Sequence, residues 1–141
     1  MTLTQWLLLP IFIHVVLTAW VGIRTVTARI ASVKAGKTRI KDISLNTKAW
    51  PDDVLKLGNN FDNQFDVPMM WYACCGLLVA TGLADAVTVV LSWAFVASRI
   101  AHTMVHTGKN NVPLRMRMFL AGFTVMALMW AWFGLRLYVI G

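Results

Sequence analysis

The fold is decided by the stretch VPMMWYACCGLLVATGLADAVTVVLSWAFVASRIAHTMVH, residues 67–106. It contains two apolar runs, 67–83 and 87–106, separated by a short hairpin. A helix crosses the hydrocarbon core of a bilayer with about 17–25 apolar residues, so each run predicts a membrane span. Pro68 lies in the first turn of one run, where its missing N–H costs nothing, and Asp85 is placed to cap the other. The stretch therefore predicts a helical hairpin within a membrane.

Apolar runs on both sides of this hairpin extend the pattern to four predicted spans. They cover about residues 5–31 and 117–140, and a polar, basic loop that can hold one short surface helix covers 32–62. The first run has no basic segment before it and no small-residue cleavage site, so we interpret it as a retained span and not as a signal peptide. Of the 141 residues, 58% are hydrophobic and 13% are charged. A soluble domain of this length cannot bury so much apolar surface, so residues 1–141 are predicted to form one all-α membrane domain, a four-helix bundle.

Basic residues concentrate on one side of the four predicted spans. The end of span one, the loop after it and the turn after span three hold most of them: Arg24, Arg29, Lys34, Lys37, Arg39, Lys41, Lys48, Lys56, Lys109, Arg115 and Arg117. The positive-inside rule makes this side cytoplasmic and places both chain termini outside. The net charge of +7 is then explained by the lipid bilayer as partner, and no nucleic-acid partner is predicted. Arg136, near the outer end of span four, breaks the asymmetry.

Cysteines and other small residues within the apolar runs indicate how the helices pack. The two cysteines, Cys74 and Cys75, are neighbours, which favours free buried thiols over a disulfide. Small side chains also recur at intervals of four residues, at Gly76, Ala80 and Ala84, and again at Ala94 and Ser98. Such stripes let helices approach closely, and their spacing leaves packing within the subunit and an oligomer interface equally open.

Polar side chains of all four predicted spans meet at one depth, near the basic side of the membrane. Arg99, His102 and His106 share one face of span three, because they are spaced at i, i+3 and i+7. The other polar side chains lie at span ends: Arg29, Asn63, Asp66 and Arg115. Ionisable groups inside a membrane are costly, and so they indicate function. Together they predict a site for an anionic ligand, since arginine binds carboxylates in bidentate fashion and aspartate accepts hydrogen bonds from an ammonium group.

The same residues also have structural interpretations. Arg29 and Arg115 can anchor helix ends by snorkelling their guanidinium groups to the interface. Asp66 can cap span two, because the first turn of a helix favours acidic side chains. His102 and His106 are spaced at i, i+4 but lack a clear third ligand, so no metal site is predicted.

Three separated motifs carry a resemblance to a known family. The first is the end of span one, residues 21–29, with its arginine. The second is Asn-Gln-Phe-Asp-Val-Pro-Met-Met-Trp-Tyr at 63–72. The third is Arg-Ile-Ala-His-Thr at 99–103, followed by a Gly-Lys turn and by Pro-Leu-Arg at 113–115. These motifs resemble the MAPEG family, the membrane-associated proteins of eicosanoid and glutathione metabolism, and the second is similar to a bacterial branch of it. The resemblance covers nearly the whole chain apart from the loop at 32–58.

The resemblance implies a homotrimer of four-helix subunits in a bacterial cytoplasmic (inner) membrane, with glutathione bound as co-substrate between neighbouring subunits. Seven residues match the family's functional positions: Arg115 and His106 as catalytic residues, and Arg29, Asn63, Asp66, Arg99 and His102 around glutathione. Arg115 matches the arginine thought to stabilise the glutathione thiolate, and a guanidinium beside a thiol does favour the anion. His106 replaces a family tyrosine as hydrogen-bond donor or general acid, since imidazole titrates near neutrality.

The chain also departs from the family pattern in its polar cradle. Met116 stands at the position of a family serine, and Asp62 at the position of an arginine. Asp66 is one methylene shorter than the family glutamate and lies closer to the proline. These differences weaken the match to the two carboxylates of glutathione.

Two function hypotheses follow. The first is a membrane-bound glutathione- or thiol-dependent transferase or peroxidase, acting on a hydrophobic, electrophilic small molecule that enters from the bilayer. The second is a non-catalytic protein with the MAPEG fold, a lipid-binding or accessory subunit of a membrane complex, because fold does not fix function. A small transporter or channel is disfavoured, since no predicted span carries a charge at mid-membrane. His14, the lone histidine of span one, is interpreted as a hydrogen-bonded core histidine.

Overall fold

The computed structural model describes residues 1–140, which form helices joined by short turns and contain no β-strand. The α-helices are α1 (Leu3–Lys34), α2 (Ile40–Ile43), α3 (Asp52–Asp62), α4 (Val67–Ala80), α5 (Ala86–Thr107) and α6 (Val112–Leu135). A 3-10 turn at Thr47–Ala49 precedes α3, and a π-helical turn at Arg136–Ile140 follows α6. The predicted all-α class is confirmed.

Three of the helices are long and apolar enough to cross a membrane: Leu3–Lys34, Ala86–Thr107 and Val112–Ile140. The fourth predicted span, 67–83, corresponds to α4, which has 14 residues. At 1.5 Å per residue α4 is about 21 Å long, less than the hydrocarbon thickness of about 30 Å. The fourth span therefore stays a prediction, although α4 is as apolar as its neighbours.

The bundle has two chemically different ends. One end carries α2, α3 and the turn between α5 and α6, and we call it the basic end. The other carries the N-terminus, the turn between α4 and α5, and the end of α6, and we call it the hairpin end. A hydrogen bond from Lys56 Nζ to the Gly108 carbonyl, 3.2 Å, joins the elements of the basic end.

Pro10 lies inside α1, and α5 takes over the hydrogen bond that it removes. Proline has no N–H, so the carbonyl four residues earlier, that of Trp6, loses its helical partner. The indole Nε1 of Trp93 donates to this Trp6 carbonyl at 3.2 Å. Beside it, Ser92 Oγ donates to the Leu7 carbonyl at 3.1 Å. These two bonds attach the first turns of α5 to α1 at the place where Pro10 removes a backbone hydrogen bond from α1.

Asp85 links the start of α5 to the end of α6 and the π-helical turn at the hairpin end. Its Oδ1 accepts from the Thr88 backbone N–H at 2.9 Å, which confirms the predicted cap of α5. Its Oδ2 accepts from Trp132 Nε1 at 2.9 Å and from Arg136 Nη1 at 2.8 Å. Arg136, which the charge asymmetry left unexplained, is therefore the ionic partner of the acidic residue in the hairpin.

The basic loop between α1 and α4 contains an ordered helix, α3. Pro51 is the N-cap of α3, and Gly58 lies inside this helix. A Cβ at Gly58 would lie 3.0 Å from Arg29 Nη2, so the glycine lets α3 pack closely against α1. Val54 and Leu57 are buried on the same face of α3. The loop thus holds a helix that packs against the bundle.

The apolar core contains a polar pair. His14 is fully buried, and its Nδ1 lies 2.6 Å from the Tyr72 hydroxyl, so the predicted hydrogen-bonded core histidine is confirmed. Its ring also meets the edge of Trp71, with ring centroids 5.8 Å apart. Cys74 and Cys75 are both buried and free, as the sequence predicts.

The two small-residue stripes differ in what they contact. On α5, Ser98 faces Gly122 of α6 so closely that a Cβ at Gly122 would lie 2.6 Å from Ser98 Oγ. On α4, a Cβ at Gly76 would have no atom within 4 Å, and Gly76 and Ala80 are both exposed. On α5, Ser98 therefore packs within the subunit while Ala94 is exposed, and on α4 both Gly76 and Ala80 face outward.

Candidate functional site

A polar pocket of about 450 Å³ lies at the basic end, between α3, α5 and α6. Its volume is within the range of about 300–1,000 Å³ that is usual for ligand pockets. Eight residues line it: Asn59, Asp62, Asn63, His102, His106, Arg115, Met116 and Phe119. Four of the seven predicted site residues, Asn63, His102, His106 and Arg115, are thus brought together.

The two histidines form the wall of the pocket on α5. His102 and His106 are both 2% exposed, and their rings meet edge to face with centroids 5.5 Å apart. His106 Nδ1 lies 3.2 Å from Asn60 Nδ2 of α3. His102 Nδ1 is buried and has no hydrogen-bond partner within residues 1–140. In that part of the chain no group of three or more His, Cys, Asp or Glu side chains is arranged to hold a metal ion.

Arg99 supports the pocket from behind. It is 1% exposed, and its Nη2 donates to the carbonyl of Asn63 at 2.7 Å. Its Nε has no partner within residues 1–140, and no carboxylate of that part of the chain lies within 4 Å of it. Arg99 therefore holds the end of α3 against α5 and brings a buried positive charge close to the pocket.

Arg115 enters the pocket from the first turn of α6. The N-cap of this helix is Asn111, whose Oδ1 accepts from the Leu114 N–H at 3.0 Å. Arg115 Nη1 donates to Asn110 Oδ1 at 2.8 Å, and Asn110 has a left-handed backbone with φ of 50°. The α5–α6 turn therefore directs the guanidinium of Arg115 toward the histidines.

Besides Arg99, which lies behind the pocket, two predicted site residues lie outside this pocket of their own chain. The guanidinium of Arg29 is stacked over the ring of Trp50, 5.4 Å from its centroid, and lines a separate cleft. Asp66 is exposed at the N-cap position of α4, but its side chain makes no capping hydrogen bond. The single chain thus separates Arg29 and Asp66 from the four residues that meet at the pocket.

The sequence reasoning missed the contribution of α3 to the pocket. Asn59 lines the pocket, and Asn60 contacts His106, but neither is among the predicted site residues. The pattern of Val54, Leu57 and Phe61 at i, i+3 and i+7 is typical of an amphipathic helix and would have placed these polar residues on α3.

A family model provides the comparison that decides the class of this protein. The model is described as MAPEG family and matches residues 7–135 of the 141-residue chain. The chain belongs to the MAPEG family. The comparisons with curated proteins and with solved structures found no match.

MAPEG membership and the three long apolar helices together make the chain an integral membrane protein. At the level of the family, membership supports a glutathione-related transferase or a related membrane function. The side chains of the polar pocket are of the chemical types that can bind a charged thiol peptide such as glutathione. Arg115 can meet a thiolate or carboxylate, and the lining amides and Asp62 can accept hydrogen bonds from an ammonium group.

The turn that presents Arg115 depends on a glycine. A Cβ at Gly108 would lie 2.8 Å from the backbone oxygen of Met104, which cannot move without distorting the last turn of α5. We therefore expect Gly108→Ala to lower the free energy of unfolding in detergent by about 1–3 kcal/mol. Gly134→Ala is the matched control, because a Cβ there meets nothing within 4 Å. Equal thermal stability of the two variants would contradict this account of the turn.

Proposed function

We propose that this MAPEG protein is a membrane-bound, glutathione- or thiol-dependent transferase or peroxidase that acts on hydrophobic electrophiles. The observation that carries the proposal is the convergence of Arg115, His102, His106 and Asn63 on one polar pocket at the basic end. A polar pocket that presents the guanidinium of Arg115 beside apolar helices suits a reaction between a charged thiol peptide and a substrate dissolved in the bilayer. The larger groove of about 710 Å³ along α1 is almost wholly apolar, and so it is not the place for the peptide.

Arg115 is the residue that we assign to the thiolate. The thiol proton leaves to solvent, and the guanidinium stabilises the sulfur anion through its charge and its N–H groups. In conjugation of a halonitroarene, the sulfur forms a bond to the ring carbon, and the halide departs with the electron pair of the broken carbon–halogen bond. Donors already held in place stabilise the charge in such a transition state without reorganising, which is why a fixed arginine accelerates it.

The remaining predicted residues are assigned to the peptide. Asn63 and His102 face the pocket, and Arg99 holds Asn63 in place. Arg29 and Asp66, which lie outside the pocket of their own chain, are assigned to contacts across a subunit boundary in a homotrimer. The exposed small-residue stripe of α4 supports this assembly, because nothing within the subunit packs against Gly76. We further propose that the basic end faces the cytoplasm of a bacterial inner membrane, as the positive-inside rule predicts.

A single-turnover assay in detergent tests the proposed function. Purified protein is mixed with glutathione and a halonitroarene, and the absorbance of the conjugate is recorded against a sample without protein. We expect conjugate formation above the uncatalysed rate and a particle mass of about three 15.8 kDa chains by light scattering. No conjugation, together with no calorimetric binding of glutathione, would reject the enzyme and leave the non-catalytic MAPEG-fold protein.

A further inference from the structure

Hydrogen bonds from α3 fix the direction in which two amide side chains point. Gln64 Nε2 lies 3.1 Å from the backbone oxygen of Asn60, which can only accept. This end of the Gln64 amide is therefore its nitrogen. The same nitrogen lies 3.3 Å from Asn60 Oδ1 and 3.1 Å from Thr103 Oγ1. An amide nitrogen has no acceptor capacity, so a nitrogen of Asn60 at this position would set donor against donor, and the Asn60 atom that faces Gln64 is therefore its oxygen.

Because one end of the Asn60 amide is its oxygen, the other end, which faces His106, is its nitrogen. Its nitrogen Nδ2 lies 3.2 Å from His106 Nδ1, and Asn60 is fully buried, so no solvent competes for this contact. An amide nitrogen only donates, and a neutral imidazole has one donor nitrogen and one acceptor nitrogen. His106 Nδ1 must therefore be the acceptor, and the ring proton must be on Nε2.

We infer that Asn60, oriented by Gln64, is a positioning residue that holds neutral His106 in its Nε2–H tautomer. His106 lines the pocket, and its Nε2 makes no hydrogen bond within residues 1–140. The pocket thus receives an N–H donor from His106 and not a basic nitrogen. His102 differs, because its buried Nδ1 has no partner that fixes a tautomer in the described chain.

This tautomer defines what His106 does in the proposed reaction, and to that extent the inference rests on the proposed function. An Nε2–H group donates to a bound thiolate or to a developing negative charge on the electrophile. It does not take the proton of the thiol, because the nitrogen that could accept it is occupied by Asn60. The resemblance allowed two roles for His106, hydrogen-bond donor or general acid. The neutral Nε2–H ring takes the first of these roles.

Nitrogen-15 NMR of the histidine rings tests the inference on the whole protein in detergent. The chain has three histidines, so a sample labelled only in histidine gives three pairs of ring nitrogens, which His→Asn variants assign. In mildly alkaline buffer, where the rings are neutral, we expect His106 to show a protonated Nε2 and an unprotonated Nδ1. A wild-type spectrum with the proton on Nδ1 would overturn the inference without any variant.

Asn60→Asp replaces the amide donor that faces His106 Nδ1 with an acceptor. The carboxylate still accepts from Gln64 Nε2, but it now accepts from His106 as well, so the ring proton is expected to move to Nδ1. Asn59→Asp is the matched control, since it adds the same charge one residue earlier at an exposed position without contacting His106 Nδ1. An unchanged His106 tautomer in Asn60→Asp would contradict the assignment, as would the same shift in Asn59→Asp.

The two proposals fail in different ways. If the wild type forms no conjugate but Asn60→Asp moves the His106 proton from Nε2 to Nδ1, the proposed function is wrong and the assignment of Asn60 stands. If the wild type is active, Asn60→Asp is expected to lower kcat about tenfold, the effect of losing one hydrogen bond. Activity retained in that variant, with the tautomer moved, would remove His106 from the reaction.

Discussion

Replacing Arg115 with alanine is expected to reduce kcat/KM for glutathione conjugation by about 10²- to 10³-fold, the usual cost of removing one preorganised donor from a site of developing charge. The guanidinium is the positive group that lines the polar pocket directly, and Asn110 and the first turn of α6 hold it there. Without it the thiolate loses its nearest counter-charge. The measurement is steady-state kinetics in detergent, with glutathione and halonitroarene varied separately.

Arg117→Ala provides the matched control for this prediction. Arg117 has the same charge, lies on the same helix two residues further on, and is exposed outside the pocket. Its removal changes the surface charge of the basic end equally, so a general electrostatic effect would appear in both variants. Arg115→Lys keeps the charge but loses the planar fork, and we expect it to recover only part of the rate. Comparable losses in Arg117→Ala and Arg115→Ala would contradict the role of Arg115.

The sequence predicted the long helices and much of the pocket, because both depend on regular spacing. Apolar runs mark α1, α5 and α6, and the i, i+4 spacing of His102 and His106 places both on one face of α5. The motifs at 63–72 and 99–115 then predict that α5 and the start of α6 meet near Asn63. Such relations hold along a helix whatever surrounds it.

The parts that could not be predicted depend on contacts between helices. No local pattern shows that Trp93 donates to the carbonyl freed by Pro10, or that Asn60 contacts His106, 46 residues away in sequence. Contacts between elements also removed one residue, Arg29, from the predicted site of its own chain. Its position along α1 matched the site, but its guanidinium is directed at Trp50 within its own chain.

Asp85→Ala is expected to lower the free energy of unfolding by about 3 kcal/mol, the largest loss of stability that we predict for a single side chain of this protein. The substitution removes the cap of α5 and also leaves Trp132 Nε1 and Arg136 Nη1 without their acceptor. The side chains of Arg136 and Asp85 are 29% and 20% exposed, so water replaces these bonds only in part. Thermal or denaturant unfolding in detergent, followed by circular dichroism, measures the difference.

Asp42→Ala is the control for this change. Asp42 also accepts from an arginine at 2.8 Å, but its partner Arg39 is 71% exposed and it is itself 42% exposed. A pair in solvent contributes about 0–1 kcal/mol, so this variant should unfold close to the wild type. An Arg136→Ala variant that loses as little as Asp42→Ala would mean that the cap alone, and not the link between the hairpin and α6, stabilises the hairpin end.

The pH dependence of stability gives Asp85 a second, independent test. Burial by itself raises the pKa of this carboxyl, but hydrogen bonds from the Thr88 N–H, the Trp132 indole and the Thr88 hydroxyl, with the charge of Arg136, lower the pKa below its ordinary value. A carboxyl with a lowered folded pKa stabilises the fold fully above its unfolded pKa, about 3.9, and loses this contribution as the pH falls through the folded value. The stability difference between wild type and Asp85→Asn should therefore be constant near neutral pH and shrink in acid. A difference that grew as the pH fell would show that the ionised carboxylate is not the form that holds α5 to α6.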